Sequence, residues 1–121
     1  MQLANWDWSY HNYRDSNINN YVLAAENLAS EETFAIFTGL GKINSNKILS
    51  KKVIEYKQTK ISCDFMDIFL ASQCKFYVCS NSGIGAVPTI FRKPIVYVNF
   101  PSIRIIYLFN LNAITIIKKF Y

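Results

Sequence analysis

Two polar segments of the chain carry the residue types that bind phosphate in proteins. The first follows an apolar run and contains Ser80, Asn81, Ser82 and Gly83, with Gly85 two positions further on. Serine and asparagine side chains donate hydrogen bonds, and the backbone amides of a turn that opens a helix attract anions. The two glycines would let a ligand approach the backbone closely. This segment predicts a phosphate site; the alternative is an ordinary strand-to-helix turn whose serine or asparagine caps the helix.

The second segment places His11, Arg14 and Asp15 in a polar stretch just before a helix. An arginine can direct two parallel hydrogen bonds at a diphosphate. Asp15 could orient Arg14 or cap the helix. His11 could act as an acid or base because histidine titrates near neutral pH, and a plain surface position is the alternative for it. We expect the loop bearing Arg14 and the helix start after Ser82 to meet and form a pocket for a pyrophosphate.

Other candidate sites have simpler interpretations. Asp64 and Asp67 lie in the first turn of a predicted helix, where carboxylates stabilise the helix end. Three cysteines and a single histidine show no zinc-binding spacing, so no metal site is predicted. Cys74 and Cys79 lie in apolar surroundings and are interpreted as core thiols of a reducing compartment. No dinucleotide-binding or P-loop motif is present, which disfavours an oxidoreductase or a Walker-type ATPase.

Helical and strand periodicities alternate along the chain. They predict helices over 17–30, from Asp64 onward and over 83–90, and strands over 34–37, 53–56, 76–79, 95–98 and 113–117. Residues 42–52 and 5–13 are predicted as loops, the helix over 65–71 as buried between neighbours, and the strand over 76–79 as buried in the sheet. Asp15 or Ser16 is the expected cap of the first helix, and Asn99 the expected stop of the 95–98 strand.

This alternation predicts an α/β fold, a Rossmann-like three-layer domain with a mostly parallel sheet. Residues 1–121 are predicted to form one domain, with 1–13 and 102–121 peripheral to it. Ligands of such sheets bind at the carboxyl ends of the strands. We therefore expect Gly39–Lys42, Ser80–Gly83 and Asn99 to share one edge, with Arg92 and its neighbours at the opposite one.

Charge and composition narrow the choice of ligand. Residues 1–41 carry one arginine and five carboxylates, a net charge of −4, whereas residues 42–121 carry twelve basic and three acidic residues, a net charge of +9. A basic C-terminal part suits an anionic ligand. Nucleic acid is disfavoured because most aromatic residues fall in predicted core positions. No signal peptide is visible, and the apolar region over 105–117 is shorter than the ~18–20 residues that span a bilayer. A cytoplasmic protein is expected, with weak association with the inner membrane surface as a further option.

The same segments carry a resemblance to a known family. Residues 9–18 (SYHNYRDSNI), 64–70 (DFMDIFL), 80–83 (SNSG) and 91–99 (FRKPIVYVN) occur in the order found in a bacterial glycosyltransferase family of surface-carbohydrate clusters, over about residues 9–100. The resemblance implies the donor-binding half of a GT-B fold, with a nucleotide sugar as substrate and no cofactor. It also implies that Arg14 and the 80–83 segment stabilise the leaving diphosphate without a bound metal, and it keeps His11 as a site residue.

The chain departs from the family pattern at three places. Relatives carry a preceding domain with an earlier Arg-Asp element, so the acceptor half is expected in a missing domain or a separate chain. Where relatives have Arg-Met-Gly after the first strand, this chain has Phe37, Thr38 and Gly39, and residues 103–121 match poorly except around Lys118. We therefore expect a glycosyltransferase fragment. The alternatives are a non-catalytic truncated remnant and a peripheral membrane- or partner-binding module, the latter favoured by the basic, apolar C-terminal segment.

Overall fold

The computed structural model describes residues 7, 9–39, 41–44, 50–101 and 111–119, and these residues form an α/β structure with short elements. Its strands are β1 (Ala35–Phe37), β2 (Val53–Glu55), β3 (Tyr77–Cys79), β4 (Ile95–Phe100) and β5 (Ala113–Ile117). Its α-helices are α1 (Val22–Leu28), α2 (Asp64–Gln73) and α3 (Ala86–Ile90), and 3₁₀ segments cover Ser9–Arg14, Ile18–Tyr21, Tyr56–Gln58 and Gly83–Gly85. The predicted α/β class is confirmed.

The strands pair in parallel, as predicted, but they form two sheets where the sequence predicted one. β1 pairs with β2, and a second sheet has the order β3-β4-β5. The residue pattern within a strand does not show which other strand it pairs with, so strands of similar composition can belong to separate sheets. The chain also divides into two compact units, Ser16–Leu70 with the first sheet, and Met1–Asp15 with Ala71–Tyr121, which holds the second.

The first predicted helix is present but shorter than expected. It begins as a 3₁₀ turn at Ile18, becomes α1 at Val22 and ends at Leu28. Val22 and Ala25 are its buried residues, which agrees with the predicted apolar stripe. The prediction of Asp15 or Ser16 as the cap is wrong. Asn17 occupies that position, and its side-chain oxygen accepts a hydrogen bond from the amide of Asn19 at 2.9 Å, the usual capping arrangement.

Helix α2 begins at Asp64 as predicted, but it is not buried on all sides. Phe65 is 71% exposed, and Ile68 and Phe69 are also exposed, so an apolar face of the helix meets solvent. The prediction failed because an apolar run shows that residues can be buried and does not show that a neighbour covers them. Asp67 does not serve only the helix end, since its carboxylate accepts a hydrogen bond from Lys57 Nζ at 2.5 Å.

The three-stranded sheet is built around one buried face. Cys79, Ile95, Tyr97 and Phe100 form a core cluster, with Tyr77 and Ala113 packed against it. The neighbouring positions on the other face are less covered, and Val78 is 40% exposed. The prediction that residues 76–79 form a strand buried on both faces is therefore wrong. Cys79 is a buried free thiol of this cluster, which confirms its interpretation as a core thiol. Cys74 is a free thiol that is only half-buried and does not belong to the cluster.

Strand β4 continues through Asn99 instead of stopping there. Asn99 has a φ of 54°, and the register with β5 shifts between Tyr97 and Phe100. Asparagine tolerates the left-handed conformation better than most residues, so the strand absorbs an irregularity at this position and resumes at Phe100. Asn99, which was expected to end the strand, instead lies at a bulge within it. β5 lies at the edge of the sheet beside β4, as predicted.

The segment before the first helix is ordered backbone where a loop was predicted. Ser9–Arg14 form a 3₁₀ helix, and the amide of Asp15 donates to the carbonyl of Asn12 at 3.0 Å. Asn5, Trp6 and Trp8, which the same prediction covers, lie outside the described residues. Helix 83–90 is present in two parts, a 3₁₀ turn over Gly83–Gly85 followed by α3.

Candidate functional site

The turn after β3 keeps the features that predicted a phosphate site. Ser80 and Asn81 are half-buried, whereas Ser82 and Gly83 are exposed. Ser82 occupies the position before the 3₁₀ turn with an extended backbone, and its side chain makes no capping hydrogen bond. The alternative in which the Ser82 side chain caps the helix is therefore not realised. The first amides of a helix lack intrahelical acceptors, so this turn also presents backbone donors.

The two glycines of the turn have different reasons to be glycine. A Cβ atom placed on Gly83 would have no neighbour within 4 Å. A Cβ atom on Gly85 would lie 3.1 Å from Cys79 Sγ and 3.5 Å from the Tyr97 ring. Gly85 is thus favoured by packing inside the unit. It also borders a cleft, so the interpretation that it lets a ligand approach the backbone stays a prediction. Gly83 still fits that interpretation because it borders open space.

A cleft of about 290 Å³ lies beside the turn. Three hydroxyl-bearing side chains and several apolar groups line it: Ser82, Gly83, Gly85, Ala86, Thr89, Ile90 and Tyr97. Tyr97 is only 3% exposed, so its hydroxyl is held at the floor rather than at the rim. The cleft volume is at the lower limit of typical ligand pockets, ~300 Å³, which suits one ring system rather than a large ligand.

Hydrogen bonds fix the polar groups at the floor of this cleft. Thr89 Oγ1 lies 3.0 Å from the carbonyl of Gly85 and 3.2 Å from the hydroxyl of Tyr97. A carbonyl can only accept, so Thr89 donates to Gly85 and Tyr97 donates to Thr89. The Cys79 thiol beneath Gly85 is neutral at physiological pH, since burial raises its pKa to about 12. No negative charge at this position therefore opposes an anion at the turn.

The backbone around Arg14 is fixed by a lysine from the far end of the chain. Lys118 Nζ donates to the carbonyl oxygen of Tyr13 at 2.7 Å and to that of Asp15 at 3.3 Å. These two carbonyls belong to the residues on either side of Arg14. The side chains of His11 and Arg14 lie outside the described residues, so the predicted meeting of Arg14 with Ser82 stays a prediction.

The strand topology places Lys118 and the Ser80–Gly83 turn at the same edge of the sheet, where the carboxyl ends of the strands lie. Ser80 follows the carboxyl end of β3, and Lys118 follows that of β5, with its amide bonded to the carbonyl of Phe100 at 2.9 Å. The strands are parallel in the order β3-β4-β5, and Cys79 and Thr115 both pair with Tyr97. Two strand spacings of about 4.8 Å separate β3 from β5, so both segments leave the sheet within about 10 Å across it.

The third segment expected at this edge follows a strand of the other sheet. Gly39–Lys42 follow β1, which is part of the two-stranded sheet. The rule that gathers the carboxyl ends of parallel strands applies within one sheet, so it does not bring these residues to Ser80. Asn99 does lie near the carboxyl end of β4, the strand between β3 and β5. Arg92 is on the turn between α3 and β4, at the opposite edge, as predicted.

Lys118 places a positive charge at the carboxyl edge of this sheet, beside the backbone of Asp15. In the described part of the chain the one salt bridge joins Lys57 to Asp67, and Lys118 forms none. Its ammonium therefore contributes positive charge beside the carbonyls that flank Arg14. Among the described residues, no group of three or more acidic, histidine or cysteine side chains could hold a metal ion. Every helix in the same described residues is too short or too polar to cross a bilayer.

Sequence reasoning missed three residues that shape this region. Thr89 stands at a helical spacing of seven positions from Ser82, and this periodicity could have placed it on the same helix face. Tyr97 lies two residues after Ile95, so strand alternation could have placed it on the buried face above α3. No local signal identifies Lys118, because its partners are more than a hundred positions away.

Comparison of the chain with protein-family models, with curated proteins and with solved structures gives no match.

Proposed function

We propose that the carboxyl edge of the β3-β4-β5 sheet binds the diphosphate of a nucleotide sugar, and that the chain acts as the donor-binding half of a GT-B-type glycosyltransferase. One observation carries the proposal. Lys118, directly after β5, holds the backbone on both sides of Arg14, and the Ser80–Gly83 turn follows β3 at the same sheet edge. The two segments with phosphate-binding residue types are thus supported by two strands of one sheet, β3 and β5, with β4 between them.

The chemistry of sugar transfer matches these groups. As the bond between sugar and diphosphate breaks, negative charge grows on the diphosphate oxygens. The guanidinium of Arg14 and the amides of the turn after Ser82 are donors suited to that charge, and Ser80 and Asn81 add further donors. His11 is the candidate acid or base. In a GT-B enzyme the acceptor binds a second half, which another domain or chain would supply here.

The cleft beside the turn would take a further part of the donor. Its volume suits one ring, and its lining is mostly apolar with a few hydroxyl groups. Gly83 belongs to the turn and also lines the cleft, and it borders open space, so a ligand could pass over it. The base or the sugar of the donor would lie along α3, with the hydroxyls of Ser82 and Thr89 as hydrogen-bonding partners.

Titration calorimetry of the folded chain with a panel of nucleoside diphosphates and nucleotide sugars tests the proposal. We expect micromolar-to-millimolar affinity for at least one of them. Arg14→Ala should weaken binding by roughly tenfold or more, the loss expected for a hydrogen bond between charged groups, and Ser82→Ala by a few-fold. Arg92→Gln is the matched control because it removes an exposed charge at the opposite edge. A folded sample that binds none of these compounds refutes the proposal.

An exposed apolar sheet face favours a second candidate, a partner- or membrane-binding module. Val78, Val96 and Ile114 are directly opposite one another in the register, on the face away from the core, and Ile116 follows on the same side. Ile114 is 63% and Ile116 54% exposed. Parallel sheets are usually covered on both faces. Co-sedimentation with liposomes that survives high salt, without any nucleotide binding, would support this candidate over the first.

A further inference from the structure

We infer that Lys118 is a positioning residue for Arg14, and that it acts by fixing the peptide backbone on both sides of that arginine. The inference rests on the proposed function for its ligand, and it assigns a role to a residue that directly follows β5. The contact joins residues more than a hundred positions apart and lies within one compact unit.

The geometry of the contact is that of a clamp. Lys118 Nζ is 2.7 Å from the carbonyl oxygen of Tyr13 and 3.3 Å from that of Asp15. Arg14 is the residue between them, so both neighbouring carbonyls are tied to the same ammonium. An ammonium carries three donors and can bond two carbonyls at once. Hydrogen bonds from a charged donor are stronger than neutral ones, so these two exposed bonds restrain the end of the Ser9–Arg14 3₁₀ helix.

The backbone of Lys118 is itself fixed, so the clamp has a firm support. Its amide donates to the carbonyl of Phe100 at 2.9 Å, directly after β5. Phe100 is fully buried in the core cluster. The restraint therefore passes from the sheet through Lys118 to the 3₁₀ segment. Without Lys118, the Ser9–Arg14 segment would keep the local bond from Asp15 to Asn12 but lose the two hydrogen bonds from the ammonium.

An arginine is effective at a diphosphate only when its backbone is placed correctly. A long side chain on an unrestrained segment loses conformational freedom when it binds, and this loss weakens affinity. A backbone already held at the sheet edge avoids part of that loss. Lys118 should thus increase nucleotide affinity through Arg14, with no need for a contact of its own to the ligand.

Hydrogen exchange of the unliganded chain tests the clamp itself. Lys118→Met keeps the aliphatic length but removes the donors, and we expect exchange of the Asp15 amide to become about tenfold faster or more. Lys118→Arg should keep the slow exchange of the wild type because a guanidinium can also donate to two carbonyls. Lys119→Met is the control, since it removes an adjacent exposed lysine with the same change in charge. Equal exchange in wild type and Lys118→Met would overturn the inference, whatever the chain binds.

A double-mutant cycle tests whether Lys118 acts through Arg14. Nucleotide affinity is measured for wild type, Arg14→Ala, Lys118→Met and the double variant, with urea unfolding as a check that each is folded. We expect Lys118→Met to weaken binding roughly tenfold when Arg14 is present and less than about twofold when it is replaced. An equal loss in both backgrounds overturns the positioning role. If wild type binds no nucleotide, the proposed function fails, and the ligand part of this inference fails with it. If binding depends on Arg14 but not on Lys118, this inference alone is refuted.

Discussion

Replacing Gly85 by alanine tests the packing that supports the candidate site. The added Cβ would lie 3.1 Å from Cys79 Sγ, about 0.3 Å inside the shortest ordinary contact of 3.4 Å. Cys79 is 8% exposed and belongs to the core cluster with Ile95 and Tyr97, so it has little room to move. The Tyr97 ring, at 3.5 Å, closes a second side. The strain must therefore be taken up by the strand or by the turn itself.

Two opposing effects set the size of the change in stability. Overpacking of a filled core typically costs about 1–3 kcal/mol. Alanine also restricts the unfolded chain, which favours folding by about 0.4–1 kcal/mol. Gly85→Ala should therefore lower the free energy of unfolding by about 1–2 kcal/mol. In urea, with a slope near ~1.5 kcal/mol/M for a chain of this size, the midpoint should fall by roughly 1 M.

Gly83→Ala provides the control in the same turn. Its Cβ meets no atom within 4 Å and no glycine of the described chain has a positive φ, so only the effect on the unfolded chain remains. We expect a gain of about 0.4–1 kcal/mol. The double variant Gly85→Ala with Cys79→Ala should be more stable than the sum of the single changes predicts, by about 1 kcal/mol, because the clashing sulfur is gone. A Gly85→Ala variant as stable as Gly83→Ala, or one without coupling to Cys79, would contradict the packing argument.

Two further changes probe features outside the cleft. Arg92 follows α3 with a φ of 54°, and its amide bonds the carbonyl of Thr89 while the amide of Lys93 bonds that of Pro88. Because glycine takes this conformation without strain, Arg92→Gly should raise the free energy of unfolding by about 1 kcal/mol, measured in urea or by thermal melting. A loss of stability would count against relief of strain. The hydrogen bond to Asp67 raises the pKa of Lys57 above its ordinary 10.5, so this pair stabilises the fold fully below that pH and less as pH rises through the higher folded value. The stability difference between wild type and Lys57→Met should therefore shrink above roughly pH 10.5, and a difference that grows there would refute the assignment.

The parts of the fold that the sequence predicted are those set by local pattern. Helix α2 begins at Asp64, and β1, β2, β3 and β5 fall within or on the predicted ranges. The exceptions have physical reasons that a local pattern does not contain. α3 ends at Ile90 as predicted, but Arg92, two residues further on, has a left-handed conformation that would normally indicate glycine. Asn99 takes the same conformation inside a strand, where its type suggested a stop.

Burial was predicted less well than secondary structure. Apolar runs over Phe65–Ala71 and Phe76–Cys79 have the composition of fully buried elements, yet Phe65 and Val78 are exposed. Composition reports what a segment can bury, whereas exposure depends on which other elements pack against it. For the same reason, the sequence did not show that β1 and β2 form a separate sheet. Strand order and coverage follow from contacts between distant segments, which one sequence does not display.

The candidate site shows the same division between local and distant information. The Ser80–Gly83 turn could be found from its residues because a strand, a polar turn and a helix start follow one another. Its expected companion at Gly39–Lys42 follows a strand of the other sheet, so the parallel-strand rule no longer links the two. Lys118 instead ties the carbonyls around Arg14 to the end of β5, two strands from β3. The support for a diphosphate site therefore depends on the C-terminal strand, although the residue types that suggested the site lie elsewhere in the chain.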